Sequence, residues 1–369
     1  MQCPTLGGRV FVRHPGNSSR VTEERTGKVF ARMLHTLVVG LGRSGEGLHL
    51  PSLAKARAQD PALFAPEPVV GFDPFRARVE GALMVHSLEE ATRHAPPRDT
   101  VVHLCTPPHL RSGPLERLAR FGYRMIIVEK PLALDLVGLA AIARLRRRWD
   151  LDITVATQWL SSALTRRLHA AHRTDAFGRL RAITVTQNKP RFTRTTRTPG
   201  HPTALDVEVP HALAVVVTLA GGADVTSVRL EDMVTDRIRL PGLGRARLDL
   251  AHHGGVRTRI ETDLTSPVRE RRIVLEFDRA LVTGHYPCSA ADHTSQLVVE
   301  AFGRRPTRSV FTDDVLPAFL HDAYARYAWT HRAHGTLPVQ VEATRLLAEA
   351  KNLCRDGAGN REVDSAVGA

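Results

Sequence analysis

The chain has 369 residues, 43% hydrophobic and 24% charged, and its 51 Lys+Arg against 38 Asp+Glu give a formal net charge of +13. Single cores usually stop growing at about 250–300 residues, so this length predicts two domains. The arginines are scattered, no basic stripe interleaved with aromatics is present, and no run of about 18 apolar residues occurs, which argues against nucleic-acid and membrane partners alike.

Residues 1–32 lack an apolar signal-peptide core and mix basic with acidic side chains. They read as a mobile extension, or as a mis-assigned start ahead of Met33. "HTLVVGLGRSGEGLHLPSLAKARA" opens as a strand, turns through glycines and continues with the helical spacing of Leu48, Leu53 and Ala56. "EPVVGFDP" is a second strand ending in Asp73, "DTVVHLCTPP" a third, and "YRMIIVEKP" a fourth that stops at Pro131. Strands alternating with helices predict a doubly wound parallel sheet, a Rossmann domain over 33–155.

Beyond "LDITVATQW" the texture changes to successive strand-like stretches with turns between them, interrupted by one helical segment near 205–220. That pattern predicts a second α/β domain over 156–335, built on an open, mostly antiparallel sheet for substrate binding and oligomerisation. "VQVEATRLLAEAKNLC" is amphipathic, with Val341, Ala343, Leu346, Leu347 and Ala350 on its apolar side. It predicts a C-terminal helix over 336–355, followed by a flexible tail at 356–369.

Gly40-Leu41-Gly42-Arg43-Ser44-Gly45 is a G-x-G-x-x-G between a strand and a helix. The first glycine permits a tight turn, the second lets a pyrophosphate approach the backbone, and the third lets helix and strand pack closely. Asp73 ends the next strand, where a carboxylate can bind ribose hydroxyls and repel a 2′-phosphate, so the expected cofactor is NAD. NADP is the alternative, with Arg76 three residues on. Ligands of such sheets lie outside the carboxyl ends of the strands, which brings Thr106, Pro107, His109, Glu129 and Lys130 to the same crevice.

Lys130 stands out for another reason. Only five of the 51 basic residues are lysine: Lys28, Lys55, Lys130, Lys189 and Lys351. An arginine keeps its proton near neutral pH, whereas a shielded lysine amine can be tuned to release it. A lysine at a strand end beside a rigid proline is therefore a candidate for proton chemistry.

With these residues in place the chain resembles the glucose-fructose oxidoreductase / inositol dehydrogenase / rhizopine catabolism family, Gfo/Idh/MocA. "VVGLGRSGEGLHLPSL" is similar to its nucleotide turn, "CTPPHLR" to its Thr-Pro strand end, "EKP" to its signature and "FGRLRAITVT" to the start of its sheet domain. The resemblance runs from about Met33 to Cys354. It implies a bound nicotinamide cofactor, a hydride step in which Lys130 assists proton transfer, and homodimers or homotetramers.

Two departures bear on the site. The family usually carries D-x-G-x-H-x-x-D on a helix facing the nicotinamide; registering "DVEVPHALAVVVTLAG" on Gly221 puts His211 at the histidine and Ala214 at the second aspartate. Val207 takes the first aspartate's place, flanked by Asp206 and Glu208. An altered relay follows as an expectation: Lys130 with His211, supported by Glu208, and Asp206 or Glu208 projecting toward the substrate. The other departure is in "TPPHLR", where Pro108 and Arg111 replace the family's asparagine and histidine.

Gln158, Trp159, Lys189 and Arg191 complete the expected substrate pocket, and no metal is expected. The four cysteines, Cys3, Cys105, Cys288 and Cys354, are too dispersed for a disulfide framework or a thiolate zinc site, which fits a cytoplasmic protein. The sequence thus predicts an NAD(P)-dependent oxidoreductase acting on a sugar, cyclitol or related, possibly amino-substituted, alcohol/carbonyl pair. A nicotinamide-binding sensor without turnover is the competing expectation.

Overall fold

The computed structural model describes residues 32–197, 200–289, 291–329 and 337–365. The extension expected at 1–32 lies outside these residues except for Arg32, which pairs with Asp99 at 3.0 Å. Residues 366–369 of the expected tail also lie outside them.

The first sheet takes β1 (His35–Val39), α1 (Leu50–Gln59), β2 (Val70–Phe72), β3 (Leu83–Met84), α2 (Leu88–His94), β4 (Thr100–Leu104), α3 (Ser112–Arg120), β5 (Met125–Glu129), α4 (Leu136–Trp149) and β6 (Asp152–Ala156). All six strands run parallel in the order β3-β2-β1-β4-β5-β6. This is the doubly wound order, and its reversal between β1 and β4 places the ligand crevice beside the glycine turn. Alternation along the strands divides two cores. Leu37, Val39, Val102 and Val128 pack with α2, α3 and α4, while Val38, Val101 and Ile127 face the opposite way.

The second half continues with α5 (Ala163–His172), β7 (Leu180–Asn188), α6 (Phe192–Arg197), α7 (Val209–Ala220), β8 (Ala223–Leu230) and a small hairpin, β9 (Met233–Val234) with β10 (Arg239–Leu240). Then come β11 (Arg245–His252), β12 (Arg257–Asp263), β13 (Glu270–Phe277), β14 (Ala280–His285), β15 (Thr294–Ala301) and β16 (Thr307–Thr312), followed by α8 (Val315–Trp329) and α9 (Leu337–Ser365). Its eight-stranded sheet, β16-β15-β14-β13-β7-β12-β11-β8, is antiparallel except where β12 pairs with β7. Helix α7 is almost wholly buried between this sheet and α9, which is why its sequence is apolar on every side.

Two helices refine the sequence reading. The expected boundary at 335 groups α8 with the second sheet, yet Phe319, Leu320, Ala323 and Tyr324 are buried against Val38, Leu53 and Ile127 of the first. On α9, Ala343, Leu346, Leu347 and Ala350 face the second core as expected, whereas Val341 is 41% exposed. The α9 backbone also continues past 355 through glycines that read as breakers, each costing about 1 kcal/mol against alanine in a helix. Among the described residues no helix is long and apolar enough to cross a membrane.

Candidate active site

The glycine turn has the geometry its three roles require. Gly40 has φ +89° and lies against the Cys105 backbone, and a Cβ at Gly45 would sit 2.2 Å from the Gly40 carbonyl oxygen. Gly42 alone faces open space, so its backbone is free to meet a ligand. A helical run begins at Gly45 and passes into α1, with the N–H groups of Glu46, Gly47 and Leu48 donating to the carbonyls of Gly42, Arg43 and Ser44 at 2.9, 3.1 and 3.0 Å, so the glycine turn itself forms the leading turn of the helix. Asp73 braces the turn: its Oδ2 accepts from the Leu41 N–H at 2.7 Å and its Oδ1 from the Phe75 N–H at 2.9 Å. Each oxygen retains lone-pair capacity for a ribose hydroxyl. Arg76 is committed to Glu46, at 3.0 Å, rather than standing free for a 2′-phosphate. These residues fit a dinucleotide.

Thr106 and Pro107 end β4 as expected, and the Thr106 hydroxyl is sealed without a partner. His109 is exposed at the crevice rim. Arg111, noted in the sequence only as a departure, is 1% exposed and ties two strand ends together. It donates to the carbonyls of Pro131, Leu132 (2.9 Å) and Thr106 (3.1 Å), clamping the loop after β4 to the cis Lys130–Pro131 turn after β5. Burial pulls its pKa down to about 10, against the opposing charge of Glu129.

Glu129 is held from beneath by a chain of side chains that sequence reading missed. Its Oε1 accepts from the Ser44 hydroxyl at 2.6 Å and from His49 Nε2 at 2.8 Å; His49 Nδ1 meets His103 Nδ1 at 2.7 Å; His103 Nε2 meets the Tyr324 hydroxyl at 3.0 Å, which meets Thr36 at 2.6 Å. Burial alone would lower the His49 pKa, but Cys105 and Glu129 raise it to about 10. Glu129 is pushed up by burial and pulled further down, to about 2, chiefly by His49. A protonated His49 fixes every direction: it donates from both nitrogens, so His103 is neutral, accepts at Nδ1 and donates from Nε2, and Tyr324 donates onward to Thr36. His49 and His103 face each other from α1's leading turn and β4, 54 residues apart in sequence.

The rare lysines converge on one turn. Lys351 pairs with Asp206, the Lys130 amine donates to the Val207 carbonyl at 2.7 Å, and Lys189 pairs with Glu208. Three consecutive residues thus engage three of the five lysines. Asp206, expected to project toward substrate, instead caps its own turn by accepting from the Thr203 N–H and hydroxyl at 3.1 and 2.8 Å, and is buried against α9. Glu208, expected to support His211, is taken by Lys189 and by Arg271 at 3.8 Å. Burial raises its pKa, but Lys189 and Arg271 hold it below the usual carboxylate range.

His211 is buried with Nδ1 sealed and unpartnered. Its ring stacks on Trp159 at 5.6 Å, and Trp159 in turn stacks on Tyr286 at 4.3 Å. Trp159 is therefore a wall with both faces covered. Burial and the Lys130 charge press the His211 pKa to about 3, so its imidazole is neutral. Burial also lowers the Lys130 pKa, with Glu208 and Glu129 resisting. Gln158 stands partly exposed beside Trp159. His201, missed in a "TPGHPT" stretch that reads as a plain turn, lies within the electrostatic reach of Lys130 and Arg191, and burial with those charges lowers its pKa to about 4.

No protein-family model matches the sequence, and no curated protein matches it in sequence. Solved structures do match the fold. An NAD-binding oxidoreductase of Klebsiella pneumoniae superposes with TM-score 0.71 at 16% identity, covering 87% of this chain and 96% of that one. KijD10, a 3-ketoreductase of Actinomadura kijaniata solved with NADP and TDP-benzene, gives TM-score 0.69 at 14% identity over 87% and 97%. The UDP-N-acetylglucosamine 3-dehydrogenase GnnA of Acidithiobacillus ferrooxidans gives 0.65 at 18% over 87% and 96%. The chain has the fold of these oxidoreductases.

Proposed function

We propose that the chain is a cytoplasmic, homo-oligomeric NAD(P)-dependent oxidoreductase of the Gfo/Idh/MocA type, acting on the alcohol/carbonyl carbon of a sugar, cyclitol or related polyhydroxylated substrate. The observation that carries this reading is the Lys130 amine, desolvated at the end of β5 and held on Val207 beside the glycine turn. Residues 40–45, Asp73 and Thr106 would hold a nicotinamide dinucleotide, which supplies hydride transfer when bound. Oxidising CH–OH also requires that the hydroxyl proton leave, and that task falls to the chain's own side chains. Lys130 carries it, because burial brings an amine toward the range in which it exchanges protons near neutral pH. Neutral His211 holds the substrate hydroxyl by hydrogen bond while its stacking on Trp159 fixes the ring. Lys189 and Gln158 bind flanking hydroxyls. The sugar class is favoured by the activities of the 3-ketoreductase and the 3-dehydrogenase that share the fold.

The test is a screen of sugars and cyclitols read by NADH absorbance, alongside fluorescence titration of NADH and NADPH into the full chain. Saturable cofactor binding with turnover of at least one polyol supports the reading; no binding at millimolar cofactor ends it. A second reading rests on Ala214, buried in α7 where the family carries an aspartate, and on the unpartnered His211 Nδ1. A nicotinamide sensor with this fold binds cofactor and turns over nothing.

A further inference from the structure

Lys189 and Arg271 come to the crevice from neighbouring strands of the second sheet. Gln187 lies opposite Arg271 in the β7–β13 ladder and Lys189 follows two residues later, so both cations rise from the same face. That face meets the turn into α7. Lys189 pairs with Glu208 through Oε1, and Arg271 Nη2 lies 3.8 Å from the other oxygen, Oε2. The Arg271 guanidinium also stands 5.7 Å from the centre of the Trp159 ring, which stacks on His211 at 5.6 Å. One residue before Glu208, the Val207 carbonyl accepts from the Lys130 amine at 2.7 Å. Contacts therefore run from the proposed proton-transfer amine to Lys189 and Arg271 without a gap.

The charges in this group do not balance. Among the described residues Glu208 is the one carboxylate within ion-pair distance of either cation, so two positive charges share one negative charge even when Lys130 has given up its proton. The carboxylate is buried, whereas Lys189 keeps 20% exposure and Arg271 23%, so the surplus charge lies on the open side of the cluster. Donors are left over as well. Lys189 has three N–H groups and commits one to Glu208; Arg271 has five, of which Nη1 donates to the Pro287 carbonyl at 2.7 Å and Nη2 faces Glu208. Partly desolvated cations with spare donors and a surplus charge are best answered by an anionic ligand.

We propose that Lys189 and Arg271 form a carboxylate-binding subsite, which makes the substrate a sugar acid, a polyol that carries a carboxylate as uronic and aldonic acids do. A single carboxylate cancels the surplus charge, and a phosphate group, at close to two negative charges, would leave the opposite imbalance. The guanidinium fork and the ammonium point charge can each take one of its oxygens. The inference rests on the oxidoreductase reading for its place beside Lys130 and His211, and it gives Lys189 a carboxylate as partner in place of a neutral hydroxyl.

Calorimetric titration of matched sugars into the full chain, with and without saturating NADH, tests it. D-glucose, D-glucuronate and D-glucose 6-phosphate differ only at the terminal carbon, and D-sorbitol and D-gluconate differ only by a carboxylate. At least one acid should bind about tenfold or more tighter than its neutral partner, the gain expected of a charged hydrogen bond. Arg271→Gln and Lys189→Gln should each narrow that gap, and Arg271→Lys, which keeps the charge, should retain most of it. The ratio of acid to neutral affinity separates recognition from damage, since a variant that only loosens Trp159 weakens both partners together. If Arg271→Gln does not fold, Lys189→Gln gives the answer. No acid preferred by the wild type, D-glucose 6-phosphate bound tighter than D-glucuronate, or a gap unchanged in both glutamine variants overturns the proposal. NADH binding with turnover of neutral sugars and no acid preference defeats the subsite alone; an acid preference in a chain that never binds NADH defeats the dehydrogenase reading and leaves the subsite standing.

Discussion

Glu129 is partly buried and Glu208 buried, and both are ionised, yet the two halves of the molecule hold them in opposite ways. Glu129 rests on a dry, directional chain of histidines and a tyrosine, each with one neighbour on either side. Glu208 sits among amines and a guanidinium whose side chains reach the crevice, with Lys189 20% exposed and Arg271 23%. The difference separates scaffold from chemistry. A histidine chain fixes a strand end in one geometry, whereas a loose cationic cluster changes its balance when a ligand or proton enters.

The comparison breaks most visibly at His49. His49→Ala takes from the partly buried Glu129 its charged partner and leaves it the Ser44 hydroxyl, and should cost about 1.5–3 kcal/mol of stability in urea unfolding. The pH dependence has a definite sign. Glu129, depressed to about 2, contributes stability that is present above its ordinary value near 4.5 and lost as pH falls through 2; His49, raised to about 10, contributes stability that is present below its ordinary 6.5 and lost as pH rises through 10. Stability from this pair should therefore be greatest between about 4.5 and 6.5. His49→Ala should flatten both flanks.

Lys130→Ala should lower turnover by about 10²-fold or more while NADH affinity, read by fluorescence, stays near wild type. Unchanged turnover would remove Lys130 from proton transfer. A subtler change is expected from Glu208→Gln. Glu208 is the strongest group holding the proton on Lys130, so its loss lowers the lysine pKa further and moves the corresponding limb of the pH-rate profile to lower pH. A profile that stays fixed would show that Glu208 serves Lys189 and Arg271 alone. The smallest effect belongs to Asp73→Asn, which removes the charge opposing a 2′-phosphate and should shift the ratio of NADP to NAD affinity upward by about three- to tenfold.

What could be read from sequence follows a simple physical division. Glycine spacing, strand ends and lysine scarcity are local signals, and the structure sets Asp73 on the Leu41 N–H of the glycine turn and Glu129, the neighbour of Lys130, on Ser44. The strand pattern likewise gave both sheets, because alternation of apolar residues is written along each strand. Pairings across long separations have no such trace. Lys351 meets Asp206 from the far end of the chain, Tyr324 meets His103 across 221 residues, and each looks like an ordinary surface or core residue in its own neighbourhood. Glu208 shows the converse, reaching His211 through its charge alone. Nearness in sequence to His211 suggested a partner, but the helical turn points its carboxylate at Lys189 and Arg271.

The placement of α8 and of Lys351 carries a consequence for biosynthesis. Tyr324 receives the histidine chain beneath Glu129, and Lys351 neutralises Asp206 at the turn that holds Lys130. A ribosome releases the glycine turn, β5 and α7 long before either residue emerges, so the nascent Rossmann strands form with an incomplete histidine chain and an uncompensated buried acid. Both halves of the crevice reach their final electrostatics only when α8 and the Lys351 turn of α9 dock. The contacts that complete the Glu129 chain and neutralise Asp206 therefore form only after α8 and Lys351 have followed the elements they join.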